Sequence, residues 1–137
     1  MVTHAPKSLQ RLPEGGNFEL SGRGTTWARV LPGDPGSTAV LLLHGWTATA
    51  DLNWAGVYEA LWPEHTVIAP DHHGHGRGLR REGAFTIADT ADDAAALVRH
   101  LGFDQVIVVG YSMGGAVAQE FARRHPTLTT GLVLCAT

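Results

Sequence analysis

Ser112 is the residue whose neighbours best suit it to act as a nucleophile. The run Val106-Ile107-Val108-Val109-Gly110-Tyr111-Ser112-Met113-Gly114-Gly115 reads as a buried strand, a sharp turn carrying one serine, and the start of a helix. Four β-branched residues lead into Gly110. Ala116, Val117, Ala118, Phe121 and Ala122 then lay out a helical apolar face that ends before Pro126. This is the G-x-S-x-G nucleophile elbow, in which a strained turn pushes the serine hydroxyl out over the sheet. The residues two before and two after the serine crowd against neighbouring backbone, so both must be small; here they are Gly110 and Gly114. The helix aims its first N–H groups, Met113 foremost, at the place where negative charge develops on a substrate carbonyl. The chemistry that such a serine supports is acyl transfer. It requires a nucleophile, a base for its proton, a group that orients the base, and donors for the oxyanion. The competing reading is a tight strand-to-helix turn with an ordinary polar serine.

Two further segments add to the elbow. Thr38-Ala39-Val40-Leu41-Leu42-Leu43-His44-Gly45-Trp46 is a second buried strand and ends in His-Gly. Ala69-Pro70-Asp71-His72-His73-Gly74-His75-Gly76 runs from a short strand into a glycine-rich loop. Together, in this order, the three motifs resemble those of the α/β-hydrolase family, and the resemblance covers about residues 17–137. It implies an α/β fold: a mostly parallel sheet with helices on both faces, truncated after the strand that follows the nucleophile helix. It implies Ser112 as nucleophile and an oxyanion hole made of the backbone N–H groups of Trp46 and Met113. His44 and Gly45 would shape the oxyanion turn, and Gly110 and Gly114 the elbow. The substrate class implied is a small-molecule carboxylic ester or related acyl compound, with no cofactor. A serine at the elbow argues against the dehalogenase and epoxide-hydrolase branches, which use aspartate there. Two positions depart from the family pattern: His73 stands at the usual arginine and Arg77 at the usual small polar residue.

In this family the triad follows the order serine, acid, histidine. After Ser112 the only acid is Glu120 and the only histidine is His125. Both fall on the helix that Ser112 starts, roughly 12 and 20 Å along its axis at ~1.5 Å per residue, so neither can hydrogen-bond the serine hydroxyl. The expectation is therefore that triad acid and base are absent from this chain. It would be the N-terminal portion of a longer hydrolase: a fragment, a truncated product or one piece of a split protein. Self-association, or pairing with a complementing C-terminal segment, is expected. The alternative from another class is a non-catalytic α/β domain that binds a ligand or partner.

Other groups are weighed against ordinary packing. His44 is read as a structural histidine that bonds local backbone rather than as a substitute base. Asp71, His72, His73 and His75 are dense in metal-ligating types but match no known metal signature, and no metal is expected. Trp46, Trp54 and Trp62 could line an acyl pocket, although Trp54 and Trp62 suit helix packing. Asp92 and Asp93 are expected to face solvent, and Cys135 to be a small core residue on a buried terminal strand.

Composition sets the outer bounds. The chain has 137 residues, 44% hydrophobic and 17% charged, with a formal net charge of -3. That suits one globular domain and offers no basic run for nucleic acid or an anionic membrane. One cysteine excludes an internal disulfide. No apolar stretch resembles a secretory signal or a membrane span, so a cytoplasmic location is expected. Residues 1–16 read as a loose leader and 17–137 as the hydrolase portion. The patterns predict strands over 17–20, 25–31, 38–43, 66–69, 105–109 and 131–135. They predict helices over about 51–61 and from a capping box at Thr86 to a stop at Gly102.

Overall fold

The computed structural model describes residues 12–137, so the leader read at 1–16 lies largely outside the described residues. Its last two positions belong to the fold: β1 spans Gly15–Leu20, and Gly15 and Gly16 pair with Arg29 and Ala28. The remaining strands are β2 (Gly24–Leu31), β3 (Ala39–Leu43), β4 (Thr66–Pro70), β5 (Val106–Tyr111) and β6 (Thr129–Cys135). The helices are α1 (Ala50–Trp54), α2 (Tyr58–Leu61), α3 (Ile87–His100) and α4 (Met113–Arg124). One six-stranded sheet has the order β1-β2-β4-β3-β5-β6. The β1–β2 hairpin joins antiparallel, whereas β4, β3, β5 and β6 run parallel. Helical crossovers between those strands place helices on both faces of the sheet.

The alternation of side chains along β3 divides the core. Ala39, Leu41 and Leu43 pack with Val106, Val108, Ala94, Leu97, Val98, Val117 and Phe121 beneath α3 and α4. Val40 and Leu42 pack with Val67, Ala69, Trp54 and Tyr58 beneath α1 and α2. Both faces of β3 are covered, which is why its sequence is apolar throughout rather than alternating.

Helix α3 begins and ends as its sequence predicts. Thr86 Oγ1 accepts from the Asp89 N–H (3.0 Å) and donates to Asp89 Oδ2 (2.8 Å), and Gly102 leaves the helix at φ +86°. The helix expected over 51–61 is instead two short helices. The chain turns at Ala55-Gly56-Val57, where the Val57 N–H bonds the Trp54 carbonyl, and Trp54 and Tyr58 can then both reach the same core. Asp93 also corrects the sequence reading. It is 7% exposed and takes both guanidinium nitrogens of Arg81 (2.8 and 2.9 Å) and Nε of Arg23 (2.7 Å), tying α3 to the β1–β2 turn. Asp92, one residue earlier, is half-buried rather than solvent-facing, bound to Arg124 on α4 (2.8 and 2.7 Å) and to His125 at its C-cap (2.8 Å).

Strand β6 closes one end of the sheet. It pairs with β5 alone, and Leu132, Val133 and Leu134 are 42%, 46% and 43% exposed. Cys135 is only partly buried there, not a core residue, because no further strand or helix covers this edge among the described residues.

Candidate active site

At the end of β5 the backbone turns on Ser112, whose φ is 52° and ψ is -120°. For a residue with a Cβ this conformation costs about 1–3 kcal/mol and persists only where the surroundings impose it. They do so from both sides. The Ser112 N–H donates to the Cys135 carbonyl (2.9 Å), and the Ser112 carbonyl accepts from the Gly115 N–H (2.9 Å) and from Thr137 Oγ1. The flanking glycines are sterically required. A Cβ on Gly110 would lie 2.2 Å from the Gly114 carbonyl oxygen, and one on Gly114 would lie 2.1 Å from that of Leu43. The obstructing atoms are backbone, which cannot swing aside. Ser112 itself is exposed at the C-terminal edge of the sheet.

The neighbouring strand β3 brings its own turn to the same place. Leu43 pairs with Gly110, and a Cβ on Gly45 would lie 3.4 Å from Ser112 Cβ and 3.5 Å from the Tyr111 ring. Side chains hold this turn. The Gly45 N–H donates to Asn53 Oδ1 on α1 (2.9 Å), and His44 Nδ1 bonds the Gly45 carbonyl (2.8 Å). Thr47, two residues on, is a second strained position at φ 58°. Trp46 is 58% exposed, with its ring set edge-on to His75 (5.2 Å between centroids) and Phe85 (5.4 Å). Of the three tryptophans weighed from sequence, only Trp46 lies in this turn, next to Gly45, which packs against Ser112. Trp54 is core, and Trp62 anchors its Nε1–H on the Pro32 carbonyl (2.8 Å).

The loop after β4 supports these two turns. Asp71, buried, accepts from the Ala50 N–H that opens α1 (2.8 Å) and from the Arg77 N–H (2.9 Å). Arg77 lies over the Trp27 ring, 3.3 Å from its centroid, and reaches Asp51 (3.2 Å). His73 stacks on Phe85 (6.1 Å, 15°), and His75 Nδ1–H donates to the His73 carbonyl (3.0 Å). Among the described residues no three His, Cys, Asp or Glu side chains converge as a metal site.

His44 is fully buried and both its ring nitrogens are occupied, Nδ1 by the Gly45 carbonyl and Nε2 by the His72 N–H (2.9 Å). Burial holds its pKa below the usual histidine value, so the ring is neutral. With no free lone pair it cannot take a proton from Ser112. Glu120 and His125 are equally committed, Glu120 to Arg123 (2.6 Å) and His125 to Asp92 (2.8 Å), on the later turns of α4. Arg124 first, then His125, hold Asp92 down to a pKa of about 2, which marks a structural clamp between α3 and α4. Sequence reasoning missed Asn53, Thr47 and the side-chain bond made by His72. No local pattern signals them, because each acts on a partner on another element or through backbone conformation.

The family model for the alpha/beta hydrolase fold matches residues 38–137. The chain belongs to the α/β-hydrolase family. It is similar to the soluble epoxide hydrolase of a Corynebacterium species, 42% identical over 95 residues that make up 69% of this chain and 33% of that protein. It is similar also to the poly(3-hydroxyalkanoate) depolymerase of Ectopseudomonas oleovorans, 37% identical over 108 residues, or 79% of this chain and 38% of the relative. Among solved structures, the epoxide hydrolase CorEH without ligand superposes with a TM-score of 0.80 at 31% identity, covering 88% of this chain and 41% of that one. The α/β-hydrolase chain thus holds the N-terminal portion of the fold and spans about a third of the length of the curated relatives it matches. Among its described residues, no helix is long and apolar enough to cross a membrane.

Proposed function

We propose that this α/β-hydrolase chain supplies the nucleophile and oxyanion hole of a serine hydrolase acting on carboxylic esters or related acyl compounds. Ser112 Oγ attacks the substrate carbonyl carbon as its proton passes to the triad base, which returns it to the departing alcohol oxygen. The carbonyl oxygen becomes an oxyanion held by the N–H groups of Met113 and Trp46, and loss of the alcohol leaves an acyl-enzyme that water hydrolyses. The observation that carries this reading is the strained Ser112, at φ 52°, seated against Gly45. Met113 opens α4, so its N–H is among those without an intrahelical acceptor. The Trp46 N–H has no acceptor among the described residues. The similarity to a poly(3-hydroxyalkanoate) depolymerase favours ester chemistry. A serine at the elbow weighs against epoxide opening, which in this family relies on an aspartate there.

The triad base and acid would come from outside the 137 residues, as would the cap that selects the substrate. The test pairs this chain with the C-terminal half of a close family member, made separately. Alone, the chain should turn over p-nitrophenyl butyrate negligibly. With the added half, hydrolysis should appear, and Ser112→Ala should lower it by about a thousandfold or more. Undiminished turnover by the Ser112→Ala variant removes the reading.

A further inference from the structure

The ends of β3 and β4 are locked by a reciprocal pair of histidines. The His44 and His72 rings lie 4.0 Å apart between centroids, tilted by 35°, and both are buried. The His72 N–H donates to His44 Nε2 (2.9 Å), and His72 Nε2 bonds the His44 carbonyl (2.8 Å). The acceptors decide the protons. A carbonyl only accepts, so His72 carries its proton on Nε2. His44 Nε2 is filled by a backbone N–H, so His44 carries its proton on Nδ1 and donates it to the Gly45 carbonyl. The two rings therefore hold opposite neutral tautomers.

The consequence falls on two successive peptide units, 44–45 and 45–46. They present four backbone polar groups, and side chains hold three of them. His72 Nε2 holds the His44 carbonyl, Asn53 Oδ1 holds the Gly45 N–H, and His44 Nδ1 holds the Gly45 carbonyl. The fourth, the Trp46 N–H, has no acceptor among the described residues. In a trans peptide the N–H points opposite to the C=O. The Gly45 carbonyl is held by the His44 ring and, at 3.4 Å, by the Ala48 N–H, so the Trp46 N–H points opposite to both.

We propose that His72 is a positioning residue for acyl transfer: its imidazole Nε2–H pins the His44 carbonyl, its N–H sets the His44 tautomer, and together they aim the Trp46 N–H at the oxyanion. The inference rests on the oxyanion role of Trp46 argued above. What it adds is a side chain that never touches substrate but sets the direction of a donor that does. Because Nε2 of His72 bonds a backbone atom of the turn, loss of the ring leaves peptide 44–45 held through the Gly45 N–H and Asn53 alone and lets its plane tilt. Peptide 45–46 is attached to it and follows.

The ¹⁵N-labelled 137-residue chain tests this without any turnover. Multiple-bond imidazole spectra should show His44 as the Nδ1–H tautomer and His72 as the Nε2–H tautomer, and the amide spectrum should show one Trp46 resonance. His72→Leu removes the donor and should displace that resonance or split it. His72→Gln places an amide nitrogen where Nε2 stands and should restore it. In the active pairing described above, His72→Leu should lower kcat about tenfold with little change in KM, and His72→Gln should recover most of the loss. A His72→Leu chain with Trp46 and His44 signals unchanged overturns the proposal, as does a folded His72→Gln chain that fails to rescue. Should His72→Leu not fold, His44→Asn decides the matter. Its amide can still donate to the Gly45 carbonyl, so Trp46 should stay near its wild-type position; a displaced Trp46 resonance counts against the proposal. Turnover that survives Ser112→Ala would remove the catalytic reading, yet leave the spectroscopic result to judge the positioning of the turn.

Discussion

Strands β3 and β6 flank the same strand, β5, with nearly the same kind of sequence, Ala-Val-Leu-Leu-Leu against Gly-Leu-Val-Leu-Cys, yet they live in opposite environments. All five residues of β3 are buried, whereas Leu132, Val133 and Leu134 of β6 are more than two-fifths exposed. An apolar run establishes that a strand forms. It does not establish how many neighbours the strand has. The difference also separates two jobs. β3 is covered on both faces and paired on both edges, and its C-terminal end carries the His44-Gly45 turn, held by side chains of His44, Asn53 and His72. β6 contributes the Cys135 carbonyl to the Ser112 N–H and, among the described residues, has no strand on its other side, so its apolar side chains stand at a sheet edge.

The sharpest way to break this contrast uses one glycine on each side. Gly114→Ala drives a Cβ to 2.1 Å from the Leu43 carbonyl at the end of β3, and should cost about 3 kcal/mol or more in urea unfolding. Gly131→Ala on β6 meets nothing closer than the Ile107 side chain at 3.4 Å. It should change stability by less than about 1 kcal/mol, in the stabilising direction, since glycine weakens a strand. Equal costs would show that the two sides of β5 are equally tight.

Truncations give the next largest difference. Leu41→Ala, at a position with no exposure, should cost ~2–5 kcal/mol, and Leu132→Ala under ~1.5 kcal/mol. Denaturant midpoints for the two variants decide this, and a Leu132→Ala loss matching that of Leu41→Ala would mean that β6 is covered in solution.

Acid should act on the β3 side first. Burial lowers the pKa of His44, and lowers that of His72 well below the ordinary value of 6.5, with His75 and Asp71 the other titratable groups beside the pair. Unfolding returns both rings to ordinary values, so the unfolded chain takes up protons first as pH falls. Stability should be flat above about pH 6.5 and decline below it, by at most ~1.4 kcal/mol per pH unit for each proton. Asp92, at about 2, acts in the same direction but at lower pH: its share is present above the ordinary carboxylate value of 3.8 and is lost as pH falls toward 2. Urea midpoints from pH 8 to 4.5 check the histidine portion, and His72→Gln should flatten it. No loss between pH 6.5 and 5 would mean that the histidine pair stays accessible to protons.

The smallest effect on stability, and the most direct probe of the open edge, is Val133→Lys. A charge at a position 46% exposed should move the unfolding midpoint by less than ~0.5 kcal/mol. It should also lower self-association seen by sedimentation, because an edge lysine discourages strand-to-strand pairing.

Much of this protein was legible as a string of residues, and for a common reason: the legible features are local. The Ser112 elbow, the Thr86–Asp89 cap, the Gly102 stop and each strand are set by backbone sterics and by periodicity within a few neighbours. Gly110 and Gly114 could be read as obligatory small residues because the strand-turn-helix geometry itself brings backbone against them. What only the tertiary structure decided are relations between elements distant along the chain. Asp92 and Asp93 are the same residue type one position apart, and a rotation of about 100° around α3 sends one, half-buried, to Arg124 and His125 on α4 and the other, buried, to Arg81 and Arg23. The pairing of His44 with His72 spans 28 positions. The position of β6 at the edge of the sheet depends on which strands sit beside it, which no residue within β6 encodes. Sequence determined the chemistry on offer, a serine on a strained turn. Tertiary contacts fixed three of the four polar groups around Gly45 and left the Trp46 N–H without an acceptor among the described residues.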